Sequence, residues 1–196
     1  MMSGKGFENV LNLAGGIKAW ESNVVVGDET LGLELFEDIE STEQVLALGY
    51  SLEDGLRDFY LSMTERVPGE AVKDMFKRLA DIEIGHKRRL YEIYGKVAER
   101  PVDRETFESD IVAPAAEGGL TTEQYLKLFE PDLNSAEGAI QMAMSIEAQA
   151  MDLYFRAADR REVSPAREFL LQIASEEKTH LKVLGKMMDR VTGQAL

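Results

Sequence analysis

The chain has 196 residues, with 22 Lys and Arg against 36 Asp and Glu, a net charge of −14 and a pI near 4.6. A field of that sign repels phosphate, which excludes nucleic acid and anionic membrane surfaces as partners, and the lack of any cysteine removes disulfides, thiolate metal centres and thiol nucleophiles. With 44% apolar residues the chain can bury a sizeable core, yet no uncharged apolar run nears the roughly 18 residues of a membrane helix and no signal-type leader follows Met1; a soluble cytoplasmic protein of one or two domains is expected.

From Met1 to about Asp38 the chain is glycine-rich, with a β-branched run at Val24 to Val26, and reads as strand, turn and short helix. From Ser41 the pattern changes to long stretches of helix formers with apolar residues at three and four spacing. A first helix is expected from Thr42 to Arg66, ending before Val67-Pro68-Gly69 because the residue preceding a proline is pushed out of the helical region. A second follows from Glu70 to Ala98. About 35 residues then separate it from the third. They contain one candidate short helix, Thr122 to Phe129, and the simplest task for so long a connection is to cross the length of a bundle. The third helix opens at Asn134 or Ser135, either of which can accept first-turn amide hydrogens, and runs to about Arg161. The fourth has Ser164 as cap and Pro165 at its first position, and ends near Gly193. The expected fold is all-α: residues 39–196 form an antiparallel four-helix bundle with a long crossover between its second and third helices, and residues 1–38 form a short strand and helix arm with a linker.

The second half of the bundle repeats the first at an offset of 94 residues without a gap. Ser51, Glu53 and Tyr60 fall on Ser145, Glu147 and Tyr154; Ala80, Glu83, His86 and Leu90 fall on Ala174, Glu177, His180 and Leu184. The chain has only two histidines, and each stands three residues after a glutamate, on one helical face. With 24 Glu in the chain, two such coincidences arise by chance in roughly 1–2% of cases, so the repeat is treated as chemistry rather than composition. Glu53 lies 15 residues before Pro68 and Glu83 lies 15 after it, so at about 1.5 Å per residue the chain climbs and returns to one height. Glu147 and Glu177 are spaced alike about position 162.

Four glutamates and two histidines then share one layer of the core. Buried carboxylates without partners cost several kcal/mol each, so such a layer needs protons or cations. Two divalent metals meet that need, and imidazole with carboxylate suits iron, manganese or zinc better than calcium or magnesium. Tyr60 and Tyr154, about 20° from their glutamates on the helical wheel and two turns along, either donate hydrogen bonds to the ligating carboxylates or serve as core aromatics. Met142, Met144, Met151, Met187 and Met188 read as core filler.

Glu53, Glu83-Ile84-Gly85-His86, Glu147 and Glu177-Lys178-Thr179-His180, on four helices with one long crossover, resemble the ferritin-like di-iron carboxylate proteins. The duplicated hairpin and the tyrosine seven residues after Glu53 and Glu147 most resemble rubrerythrins. The resemblance spans about residues 40–192. It implies that Glu83 and Glu177 bridge two iron ions, that Glu53 and Glu147 are terminal ligands, and that His86 and His180 each hold one metal. It further implies reduction of hydrogen peroxide or dioxygen with electrons from an external donor protein such as a rubredoxin. Iron binding and oxidation for storage is the alternative, and a metal-stabilised scaffold without turnover is a third reading. Two departures stand out: an additional glutamate that rubrerythrins commonly carry three residues before the third-helix ligand is Met144 here, and the chain lacks the cysteines of a rubredoxin domain. A homodimer is the expected assembly.

Gly6 to Trp20, with the pair Gly15-Gly16, resembles the last strand and helix start of a rhodanese domain. The segment contains no cysteine, so no sulfur transfer is expected from it, and it reads as the truncated tail of a rhodanese fused to a rubrerythrin-like domain.

Overall fold

The computed structural model describes residues 33–36, 39, 41–112, 122–160 and 164–193. The rhodanese-like stretch from Gly6 to Trp20 lies outside them. Among the described residues four long helices form two hairpins: α1 (Thr42–Arg66) with α2 (Glu70–Val97), and α4 (Ala136–Asp159) with α5 (Pro165–Val191). The short helix α3 (Thr122–Phe129) lies in the connection between them.

Local chemistry sets the ends. The Ser41 hydroxyl accepts the Gln44 amide at 3.1 Å while the Gln44 side chain accepts the Ser41 amide at 3.2 Å, a reciprocal cap that opens α1. Val67 is extended, as the following Pro68 demands, and Gly69 at φ 86° turns the chain into α2. Ser135 caps α4 and Ser164 caps α5, with Pro165 in the first turn. Two helices end slightly sooner than the sequence suggests: α2 at Val97, where Ala98 is already extended, and α4 at Asp159, where Arg160 leaves helical geometry.

One feature was not anticipated. Asp103 caps a turn at Arg104–Thr106 that continues as a π-helical segment, Phe107–Val112. Phe107 is fully buried edge-on against Tyr50 and 4.5 Å, centroid to centroid, from Tyr94, at one end of the first hairpin. By α3 the connection is at the other end, where Glu123 pairs with Arg66 at 2.9 Å. Tyr50 and Arg66 are about 24 Å apart along α1, so the connection does traverse the bundle. Phe36, assigned from the sequence to the segment before the bundle, is 5% exposed and belongs to the bundle core.

The glycine at the start of α4 is tested by a methyl group. A Cβ on Gly138 would sit 2.3 Å from the Asp132 carbonyl oxygen and 3.0 Å from the capping Ser135 hydroxyl, whereas a Cβ on Gly95 meets nothing within 4 Å. Gly138→Ala is expected to lower stability by about 1–2 kcal/mol through loss of the cap, and Gly95→Ala to raise it by up to about 1 kcal/mol, in urea unfolding.

Candidate metal centre

The α1–α2 and α4–α5 hairpins each direct one glutamate from the first helix and one Glu-x-x-His pair from the second into the bundle. Glu53, Glu83, Glu147 and Glu177 are all 0% exposed, with His86 at 1% and His180 at 8%. All six candidate ligands meet there: Glu53, Glu83, His86 and Glu177 form one group whose donor atoms lie within 4.8 Å of one another, and Glu83, Glu147 and His180 form a second. Glu83 belongs to both. The two imidazoles stack at 5.6 Å with a 15° tilt and turn Nδ1 toward the carboxylates.

The donors do not suffice for the acceptors. His86 Nδ1 is 2.7 Å from Glu53, 2.8 Å from Glu83 and 3.5 Å from Glu177. His180 Nδ1 is 2.7 Å from Glu177 and 3.1 Å from Glu147. A ring nitrogen carries at most one proton, so most of these contacts cannot be hydrogen bonds at once. Both oxygens of Glu83 and Oε1 of Glu177 are buried without any aligned donor. Oxygens crowded round one nitrogen and left orphaned in a dry core are what divalent cations complete, and the mixed carboxylate and imidazole donor set fits iron, manganese or zinc.

Tyr60 and Tyr154 do not serve the glutamates of their own helices. Tyr60 donates to Glu147 Oε1 at 2.7 Å and Tyr154 donates to Glu53 Oε1, so each hydroxyl crosses to the other hairpin. The packing of the two hairpins sets each ring against the carboxylate that faces it from the other hairpin. Burial, then the charge of the accepting carboxylate, raises both phenols well above their ordinary range, so they remain donors.

Protonation follows the same crowding. Burial first, then the charge of Glu53, holds the Glu83 carboxyl well above the usual carboxylate range; burial and Glu147 do the same to Glu177. Burial would also raise Glu53 and Glu147, but hydrogen bonds outweigh it: His86 holds Glu53 down, and Glu177 with His180 hold Glu147 down. His86 is pushed up to about 11, because hydrogen bonds to Glu53 and Glu83 overcome the burial that would depress it. Without metal, protons therefore stand in for the cations. The native state then holds more protons than the unfolded chain above pH 4.5, through Glu83 and Glu177, and between pH 6.5 and about 11, through His86. Metal-free protein is expected to lose stability as pH rises from about 4.5 toward about 11, and below about 4.5 as Glu53 and Glu147 lose their charge. Metal-loaded protein should gain over that rise, since the ligands must shed protons to bind. Urea unfolding of both forms across the range checks the opposed slopes.

A family model described as rubrerythrin matches residues 44–188, three quarters of the chain and all six of these side chains. The chain belongs to the rubrerythrin family. A solved structure of a hypothetical protein from Pyrococcus furiosus is similar at 20% identity and a TM-score of 0.49, covering 82% of this chain and 98% of its own. No curated protein matches the chain. Met144, where the resemblance to rubrerythrins leads one to expect a further glutamate, is half-buried against the core. Among the described residues no helix is long and apolar enough to cross a membrane.

Proposed function

We propose that this rubrerythrin-family chain is a non-haem di-iron oxidoreductase that reduces hydrogen peroxide or dioxygen with electrons from an external donor. The observation that carries the reading is the doubled cluster of buried, under-donated carboxylates facing two stacked imidazoles. Glu83, shared by both groups, and Glu177, within 3.5 Å of both Nδ1 atoms, would serve both ions, and Glu53 with His86 and Glu147 with His180 would each serve one. Two irons held there would supply reversible ferrous–ferric chemistry toward a small oxygen species.

The protein's own part is positioning and protons. Tyr60 and Tyr154 donate to the two end carboxylates across the hairpin interface, and Glu83 and Glu177, whose buried carboxyls are held above the usual carboxylate range when no cation is present, would release protons as ions load. The buried layer keeps bulk water away from the reacting species. With no cysteine in the chain, electrons must come from another protein or a small molecule.

The test is anaerobic mixing of the ferrous-loaded protein with one equivalent of hydrogen peroxide, followed by repeated cycles with a rubredoxin and its reductase as donor. Peroxide reduction in step with donor oxidation, over many turnovers and with iron constant at about two per chain, is expected. Iron accumulating far beyond two per chain under air would favour storage instead. Zinc retained in preference to iron, with no spectral response to peroxide, would favour the scaffold.

A further inference from the structure

The repeat is broken beside the centre. Position 176 on α5, immediately before the ligand Glu177, is a glutamate, while its counterpart 94 residues earlier is Ile82, 38% exposed. Arg89, one helical turn beyond His86 on α2, has Val183 as its counterpart, 54% exposed. The two charged members meet across the bundle: Arg89 Nη2 pairs closely with Glu176 Oε2, and Gln172 donates to the other oxygen at 3.0 Å. So held, Glu176 Oε2 lies 3.0 Å from His86 Nε2, off the line of an ideal hydrogen bond. Among the described residues no carboxylate lies as close to His180 Nε2, although Glu176 is only one turn away on the same helix. The two groups differ as well: four ligands gather at the His86 side and three at the His180 side, where the imidazole is also the more exposed.

We propose that Glu176 makes the two halves of the centre unequal. Clamped by Arg89 and Gln172, it keeps the proton of His86 on Nε2 and Nδ1 free toward the carboxylates, so the ion held by Glu53, Glu83, His86 and Glu177 binds first and more tightly. The inference rests on the di-metal reading above. A carboxylate at the far nitrogen of a ligating imidazole fixes its tautomer and orientation and strengthens it as a donor, and loss of such a partner commonly weakens metal binding about 10- to 100-fold. Glu176 is a positioning residue here, since the ligand atoms it affects belong to His86.

The experiment is an anaerobic cobalt(II) titration of metal-free protein, read by visible absorption and calorimetry. Wild type should bind two ions in steps separated at least about tenfold. Glu176→Gln should weaken the first step by about tenfold or more and leave the second unchanged, Glu176→Asp should restore much of it, His180→Ala should keep the first step and His86→Ala should lose it. With only two histidines, nitrogen-15 spectra of the zinc-loaded protein resolve both rings, and Glu176→Gln should move the Nε2 signal of His86 alone. Should Glu176→Gln not fold, Arg89→Gln, which keeps the carboxylate but frees it, should weaken the first step in the same sense. Two equal steps in wild type, or a first step untouched by these variants, would overturn the inference while leaving the di-metal reading intact. A wild-type protein that binds no cobalt, iron or zinc would overturn that reading and this inference with it.

Discussion

Glu83→Gln is expected to stabilise the metal-free protein and to destroy its response to metal. The Glu83 carboxyl is fully buried, neither oxygen has an aligned donor, and its pKa is raised by burial and then by Glu53. Above the usual carboxylate range it therefore holds its proton more firmly when folded than when unfolded, and that difference opposes folding. An amide of the same shape removes the difference and can still donate to Glu53, so the metal-free variant should unfold at a higher urea concentration than wild type, by about 1–3 kcal/mol, the cost of burying a polar group that is poorly satisfied. Metal reverses the order. At a hundredfold excess over its dissociation constant each ion adds about 2.7 kcal/mol to wild type, and the variant, lacking the one ligand shared by both groups, should gain little. Paired urea curves with and without metal measure both signs. A variant weaker than wild type in the metal-free state would mean that Glu83 is a structural group in its own right.

Tyr60→Phe and Tyr154→Phe should behave in the opposite way, lowering stability while leaving metal content intact. Each hydroxyl is buried and donates across the hairpin interface, to Glu147 and to Glu53, so its removal breaks a tie between hairpins and strands a lowered-pKa carboxylate oxygen. Hydrogen bonds to charged groups contribute about 1.5–3 kcal/mol, and each variant should lose about that much in the metal-free protein. The double variant should fall short of the sum, because both bonds serve one coupled cluster. Two ions per chain should still bind, since all six ligands remain. Loss of one ion in either variant would show that the phenol is needed to hold a ligand in place rather than to tie the hairpins.

Much of this fold was legible because its signals are local. Ser41, Ser164 and Pro165 announce helix starts, Val67-Pro68-Gly69 announces a break, and the observed helices begin where those residues place them. The six buried acidic and imidazole groups were legible for a different reason: a gapless repeat at helical spacing fixes height and face without any knowledge of packing. Long-range geometry was not. The π-helical run at Phe107–Val112 is held by Tyr50 and Tyr94, more than a dozen residues distant, and Asp103 as its cap was the only nearby cue. The crossed tyrosine bonds depend on how the hairpins pack, so helical-wheel angles placed the rings near the ligands but not against the correct partner. Glu176 went unread because it interrupts the repeat instead of repeating it; comparing the mismatched positions of the two halves, Ile82 with Glu176 and Arg89 with Val183, would have exposed it.

The central claim is that four glutamates and two histidines from two hairpins hold a pair of ions. Iron per chain after anaerobic ferrous loading and desalting, in wild type, Glu83→Ala and Glu177→Ala, tests it most directly. About two irons in wild type and well under one in each variant is the result predicted. A wild-type chain that retains no iron, or variants that retain as much as wild type, would contradict it.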